Sequence, residues 1–168
     1  MNTCKPIMSL GELAVILCPK AKQEELLTAL KEQAIVSSPK QLLIVQKDWP
    51  LFPYLKTKDQ VLLNLSENKK ERLSFQEMLK IDPALLNREP DQLSLFDKIK
   101  LQLLHALLAK KDKLIIEEVL DELKVIEAQE ILDLFDYLVK NKKIAILLLT
   151  HDETIAHSQY IDQIYDER

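Results

Sequence analysis

The stretch GELAVILCPKAKQEELL, Gly11–Leu27, decides how this chain folds. Leu13–Cys18 is short and continuously apolar, the pattern of a strand buried on both faces of a sheet. Cys18-Pro19-Lys20-Ala21-Lys22-Gln23 forms a tight connection, and a charged helical pattern runs from Gln23 to Gln33. Strand, turn and helix in this order frame the loops that hold phosphate groups at a helix N-terminus. Here the connection holds no glycine, and neither Gly-Lys-Ser nor Gly-Lys-Thr follows it.

Three further apolar runs repeat the first: Leu42–Gln46, Lys113–Glu118 and Ile144–Thr150. Helical patterns lie between and after them, at Leu93–Lys110, Val125–Val139 and Glu153–Tyr160. Alternating strands and helices point to an α/β fold with a mostly parallel sheet and right-handed crossovers. The segment from Lys56 to Pro90 breaks the alternation. It is polar, carries short helical pieces such as SFQEMLK, and is expected to be a small helical insertion. With the helix that follows, it makes a helical subdomain over residues 56–110 inside a single domain of 168 residues.

Composition narrows the function. Hydrophobic residues make up 47% and charged residues 30%, as in a folded globular chain. A net charge of −4 argues against binding nucleic acid by phosphate neutralisation. The lysine-rich stretches ENKKER, AKKDK and KNKK sit beside acidic residues and read as solvated loops and helix ends. Two cysteines, Cys4 and Cys18, are too few for a disulfide framework, and no secretory signal precedes them. The longest apolar run, Ile144–Leu149, is far short of the roughly 20 residues of a membrane helix. A cytoplasmic protein is expected, reaching the membrane only through a partner.

Glycine is scarce. Gly11 is the single one, where about 7% is usual. Glycine allows backbone amides to approach a ligand closely. A chain lacking it after residue 11 is poorly suited to an amide-lined cradle for a polyphosphate.

Three segments carry a family resemblance. QLLIVQKDWPLFPYLKTKDQVLLNL leaves a strand at Gln46 and passes through Trp49-Pro50-Leu51-Phe52-Pro53 into a helix. QLSLFDKIKLQLLHALLAKKDKLIIEEVLDEL opens a helix at Leu93-Ser94 and ends a strand in Glu117-Glu118. IAILLLTHDETIAHSQYIDQIYDE places Thr150-His151-Asp152 at a strand end and continues to YIDQI. Together they resemble the ATP-binding subunit of an ABC transporter, a P-loop-NTPase-like fold, in a degenerate and shortened form.

The resemblance puts Gln46 and Leu51–Pro53 on the family's glutamine loop, and Leu93-Ser94 at the start of its Leu-Ser-Gly-Gly-Gln signature. Glu117 falls where the family has its Mg²⁺-linked Asp, Glu118 on the carboxylate that polarises water, and His151 on the switch histidine. Family-like nucleotide contacts would fall to Lys20, Lys22, Gln46 and Ser94, and catalysis to Glu118 and His151. The departures are as informative. No Lys-Ser or Lys-Thr pair remains to hold phosphate and Mg²⁺, and Glu24 and Glu25, expected in the first helical turn, add negative charge there. Leu95-Phe96-Asp97 replaces the signature glycines, so Ser94 and Asp97 are expected to cap a helix. At the dimer seam Leu123-Lys124 replaces Leu-Asp. In the short leader before Gly11 no aromatic residue stands for adenine to stack on.

The expected function is therefore a non-hydrolysing homologue with no cofactor and no metal. It would act as an interaction or regulatory subunit with a membrane permease or an intact ABC ATPase subunit. The family's groove for the permease's coupling helix lies around Gln46, Trp49, Phe52 and Tyr54, where aromatic side chains serve as anchors. Two other readings stay open: a weak ATPase using Lys22, Glu118 and His151 in trans with an intact partner's loop and Mg-ATP, and a free regulatory or immunity-type module on the same fold.

Overall fold

The computed structural model describes residues 8–37, 41–53, 55–63, 65 and 68–168, and backbone only for 34–37. Five strands form one sheet: β1 (Leu13–Leu17), β2 (Leu42–Val45), β3 (Lys113–Ile116), β4 (Ala145–Thr150) and β5 (Gln163–Asp166). Their order is β2-β3-β4-β1-β5, and every neighbouring pair is parallel. The helices are α1 (Lys20–Ser37), α2 (Thr57–Val61), α3 (Lys69–Met78), α4 (Leu95–Leu108), α5 (Val125–Asn141) and α6 (Glu153–Ala156). The fold class agrees with the expectation, and the sheet is wholly parallel.

The sequence runs behave as strands covered on both faces because their period of two splits them between two cores. Leu13, Val15, Leu17, Leu114, Ile116, Ile146 and Leu148 enter the larger core with α4 and α5. Ala14, Ile16, Cys18, Ile115, Leu147 and Leu149 turn to the other face, where Leu26, Leu27 and Leu30 of α1 cover them. β1 and β4 are buried along their whole length. α2, α3 and two 3-10 turns fill the chain between β2 and α4.

Several boundaries differ from the sequence reading. The strands stop at Leu17, Val45 and Ile116, which leaves Cys18, Gln46, Glu117 and Glu118 beyond the ladder. α1 begins at Lys20, three residues before the expected start, so Glu24 and Glu25 lie in its second turn and not its first. Pro19 explains the early start, since a proline with its fixed φ directs the chain straight into a helix. The final helix stops at Ala156 because His157 leaves helical geometry.

Glycine scarcity has a visible consequence. Lys80, Lys110 and Lys143 adopt φ of 56°, 58° and 57° just past the ends of α3, α4 and α5. Glycine usually takes this position, because a side chain there crowds the backbone. At α4 the Lys110 amide donates to Leu107 O and the Lys111 amide to Ala106 O, which closes a Schellman motif around a lysine. Gly11, at φ 84°, turns the chain into β1. No helix among the described residues is long and apolar enough to cross a membrane.

Candidate functional site

The chemistry-bearing residues gather at the C-terminal edge of the sheet, the edge where open parallel sheets bind ligands. The turns after β1, β3 and β4 meet there. The Cys18 amide donates to Thr150 O at 2.9 Å, which extends the β1–β4 ladder by one bond, and the Lys22 amide donates to Pro19 O at 2.9 Å. The backbone after β1 thus passes from strand to helix through Cys18 and Pro19 with no intervening loop.

Glu118 is the centre of the site, with 5% of its side chain exposed. Gln23 Nε2 donates to its Oε1 at 2.9 Å, while Thr150 Oγ1 and the His151 amide donate to its Oε2 at 3.1 and 2.9 Å. His151 Nδ1 lies 2.7 Å from Oε1 and 2.6 Å from Oε2. An ionised carboxylate only accepts, so Nδ1 carries the proton in this contact. Gln23 also donates to Cys18 O at 3.0 Å, which ties α1, the end of β1 and the β3 turn into one network. A carboxylate with so many donors is the buried, satisfied kind. His151 reaches across to the strand-end glutamate rather than bonding within its own turn.

Asp121, in the 3-10 turn Leu120–Glu122, stands beside this network. Its side chain is only 17% exposed and pairs with Lys20 Nζ at 2.5 Å, an ion pair that raises the Lys20 pKa through its hydrogen bond to Asp121. Single donor atoms of Glu118, Asp121 and His151 all lie within 4.8 Å of one another. Glu117 accepts the Lys47 amide at 3.2 Å. Burial raises the pKa of the Cys18 thiol on the same edge. A cavity of about 370 Å³ opens beside Glu118, lined in part by Lys20, Gln23, Gln46 and Glu117.

The other residues singled out in the sequence occupy separate places. Lys22 is exposed on α1. Ser94 caps α4: its Oγ accepts the Asp97 amide at 3.1 Å, and Asp97 Oδ2 accepts the Ser94 amide at 3.1 Å. Gln46 is held by its backbone, its amide donating to Gln102 Oε1 and its carbonyl accepting from Gln102 Nε2, both at 2.8 Å. Trp49 packs against the core, whereas Phe52 is 62% exposed. Both line a groove of about 520 Å³ with Pro50, Leu51, Leu63 and His105. Tyr54 lies outside the described residues.

Three organising residues escaped the sequence reading. Gln23 read as the first residue of a helix, Gln102 as one polar residue on an apolar face, and Gln60 as part of a polar insertion. Gln60 pins the Trp49–Pro53 segment: its Oε1 accepts the Phe52 amide, and its Nε2 donates to Phe52 O and Leu55 O, both at 2.9 Å. A buried glutamine in an apolar stretch was the available signal, since such an amide must find partners.

No protein-family model and no curated protein sequence matches the chain. Solved structures do. A dimeric post-hydrolysis state of the ATP-binding cassette MJ0796, bound to ADP and Pi, aligns with TM-score 0.75 and 15% identity, covering 96% of this chain and 83% of that one. The cbiO1 structure from Clostridium perfringens, part of the ABC transporter complex cbiONQ, aligns with TM-score 0.76 and 19% identity, covering 96% of this chain and 75% of that one. An ATP-binding subunit of an ABC transporter gives TM-score 0.76 at 17% identity, covering 96% and 76%. The chain has the fold of an ABC-transporter ATP-binding cassette.

Proposed function

We propose that this chain is an ATP-binding-cassette homologue that neither holds nor hydrolyses ATP and serves as an interaction or regulatory subunit of a membrane transporter. One observation carries the reading: the Gln23 side chain bridges Cys18 O and Glu118 at the turn after β1. In the family the sequence resembles, that turn wraps the phosphates and that glutamate polarises water. Here the amide of Gln23 occupies the glutamate, and α1 follows Pro19 at once.

The residues present fit a nucleotide poorly. Lys20 is paired with Asp121, and Lys22 is exposed. Ser94 Oγ accepts within its own helix cap, and Leu95, Phe96 and Asp97 follow it where the family's signature has glycines. Each lost contact to a charged phosphate costs on the order of 1.5–3 kcal/mol. Two or three such losses weaken binding by several powers of ten.

The groove at Trp49–Phe52 supports the partner side of the proposal. It is concave and has an exposed aromatic at its rim, and Gln60 holds its backbone in place. A short amphipathic helix of a permease is the occupant this reading assigns, with the protein on the cytoplasmic side. Calorimetric titration with Mg-ATP tests the first half; micromolar binding would favour the weak-ATPase alternative and end the proposal. Co-purification from the native host tests the second. Wild-type chain should recover a permease or an intact cassette subunit, and Phe52→Asp should not.

A further inference from the structure

We propose that Glu118, Asp121 and His151 form a binding site for a borderline divalent cation such as Zn²⁺ or Co²⁺. The inference is independent of the interaction role above and departs from the expectation of a metal-free protein.

The donor set is mixed, one imidazole nitrogen and two carboxylates, which suits Zn²⁺ and its neighbours better than Mg²⁺ or Ca²⁺. The three residues come from separate turns, after β3, in the following 3-10 turn and after β4, yet single donor atoms of all three lie within 4.8 Å of one another. A tetrahedral ion with bonds of about 2.0–2.2 Å needs donors roughly 3.3 Å apart. Glu118 and His151 are already closer than this, at 2.6 Å. The remaining adjustment falls to Asp121 and His151, the two members whose residues reach the surface. Glu118 stays fixed.

The surroundings are those of a held ligand set. Gln23 and Thr150 donate to Glu118 and orient its carboxylate, as outer hydrogen bonds do for metal ligands. Asp121 points its side chain inward, 17% exposed, although the residue itself is on the surface. Lys20 provides the positive charge that balances Asp121 in the absence of an ion. Its side chain is 60% exposed, so it can swing into solvent when a cation arrives. An ion on Nδ1 leaves Nε2 to carry the ring proton, as a neutral imidazole ligand requires. The fourth coordination position is left to water.

The competition between Lys20 and the ion makes the proposal testable in both directions. Titration of the full chain with ZnCl₂, read by calorimetry, should show one site with micromolar affinity, and CoCl₂ should bring the visible bands of a low-coordinate cobalt centre. Asp121→Asn leaves the Glu118 network intact and should weaken binding by about tenfold or more. His151→Ala should do the same and abolish the cobalt bands. Lys20→Met removes the competitor and should tighten binding several-fold. Circular dichroism of each variant confirms the fold. Absence of saturable Zn²⁺ binding, or an affinity equal in wild type, Asp121→Asn and Lys20→Met, would overturn the site.

Discussion

Replacing Glu118 with Gln should destabilise the protein, and the sign of the effect is what matters. The carboxylate accepts from Gln23, Thr150, the His151 amide and His151 Nδ1, all within 3.1 Å. A glutamine amide offers a single acceptor oxygen, and its NH₂ would face donors. At least two of the four lose their partner. His151 is 44% exposed and can turn its ring to water, so its loss is discounted. The remaining orphaned donor costs about 1–3 kcal/mol, which sets the expected loss. An unfolding entropy of about 2.1 cal/mol/K per residue means a loss near 2 kcal/mol lowers Tm by about 6 °C. Urea denaturation followed by circular dichroism reads the free energy, and a constant m-value confirms that the folded state stays intact. In a working catalytic site the carboxylate is kept partly unsatisfied, and neutralising it commonly adds stability. A Glu118→Gln variant as stable as wild type, or more so, would refute the reasoning that Glu118 is locked into the fold.

Three other outcomes follow from the geometry. Lys110→Gly relieves a side chain held at φ 58° and should raise stability by about 0.5–1 kcal/mol in thermal unfolding, a change that Lys110→Val reverses in sign. Gln102→Leu leaves both backbone groups of Gln46 without partners inside the protein and should cost about 2–3 kcal/mol, with faster hydrogen exchange at the Gln46 amide as the local signature. The Arg168 hydrogen bonds hold the Asp166 pKa down to about 2 from 3.8. Because the folded pKa is the lower one, the stabilising contribution is full above about pH 3.8 and is lost as pH falls toward about 2. NMR titration of the Asp166 carboxyl should follow this, and Arg168→Ala should return it toward the ordinary value.

The fold was legible because its signal is local. LAVILC, LLIV, KLII and AILLLT are apolar at every position, a pattern that only burial on two faces explains, and the helical stretches between them leave a parallel sheet as the economical arrangement. The cap at Ser94 and Asp97 was legible for the same reason, since residues three apart at a helix start meet whatever lies around them. Boundaries were less so: Pro19 starts α1 earlier than the apolar periodicity indicates.

The candidate site was legible only in its members taken singly. Glu118 and His151 could be marked by their positions at strand ends, but nothing in the chain joins them, and 33 residues separate them. Gln23 stood out only as the first residue of a helical pattern, and Asp121 was not singled out. By itself the sequence determined where the four apolar strands and the longer helices would form, though not the exposed edge strand β5, and that a glycine-poor turn would follow β1, because strand period, helix period and backbone freedom are properties of neighbouring residues. Tertiary structure alone decided that Gln23 would reach the glutamate, that His151 would face it and that Asp121 would pair with Lys20. Those contacts exist because the order β2-β3-β4-β1-β5 sets the ends of β1, β3 and β4 side by side, and hydrogen bonds and ion pairs depend on ångström distances across space rather than on spacing along the chain.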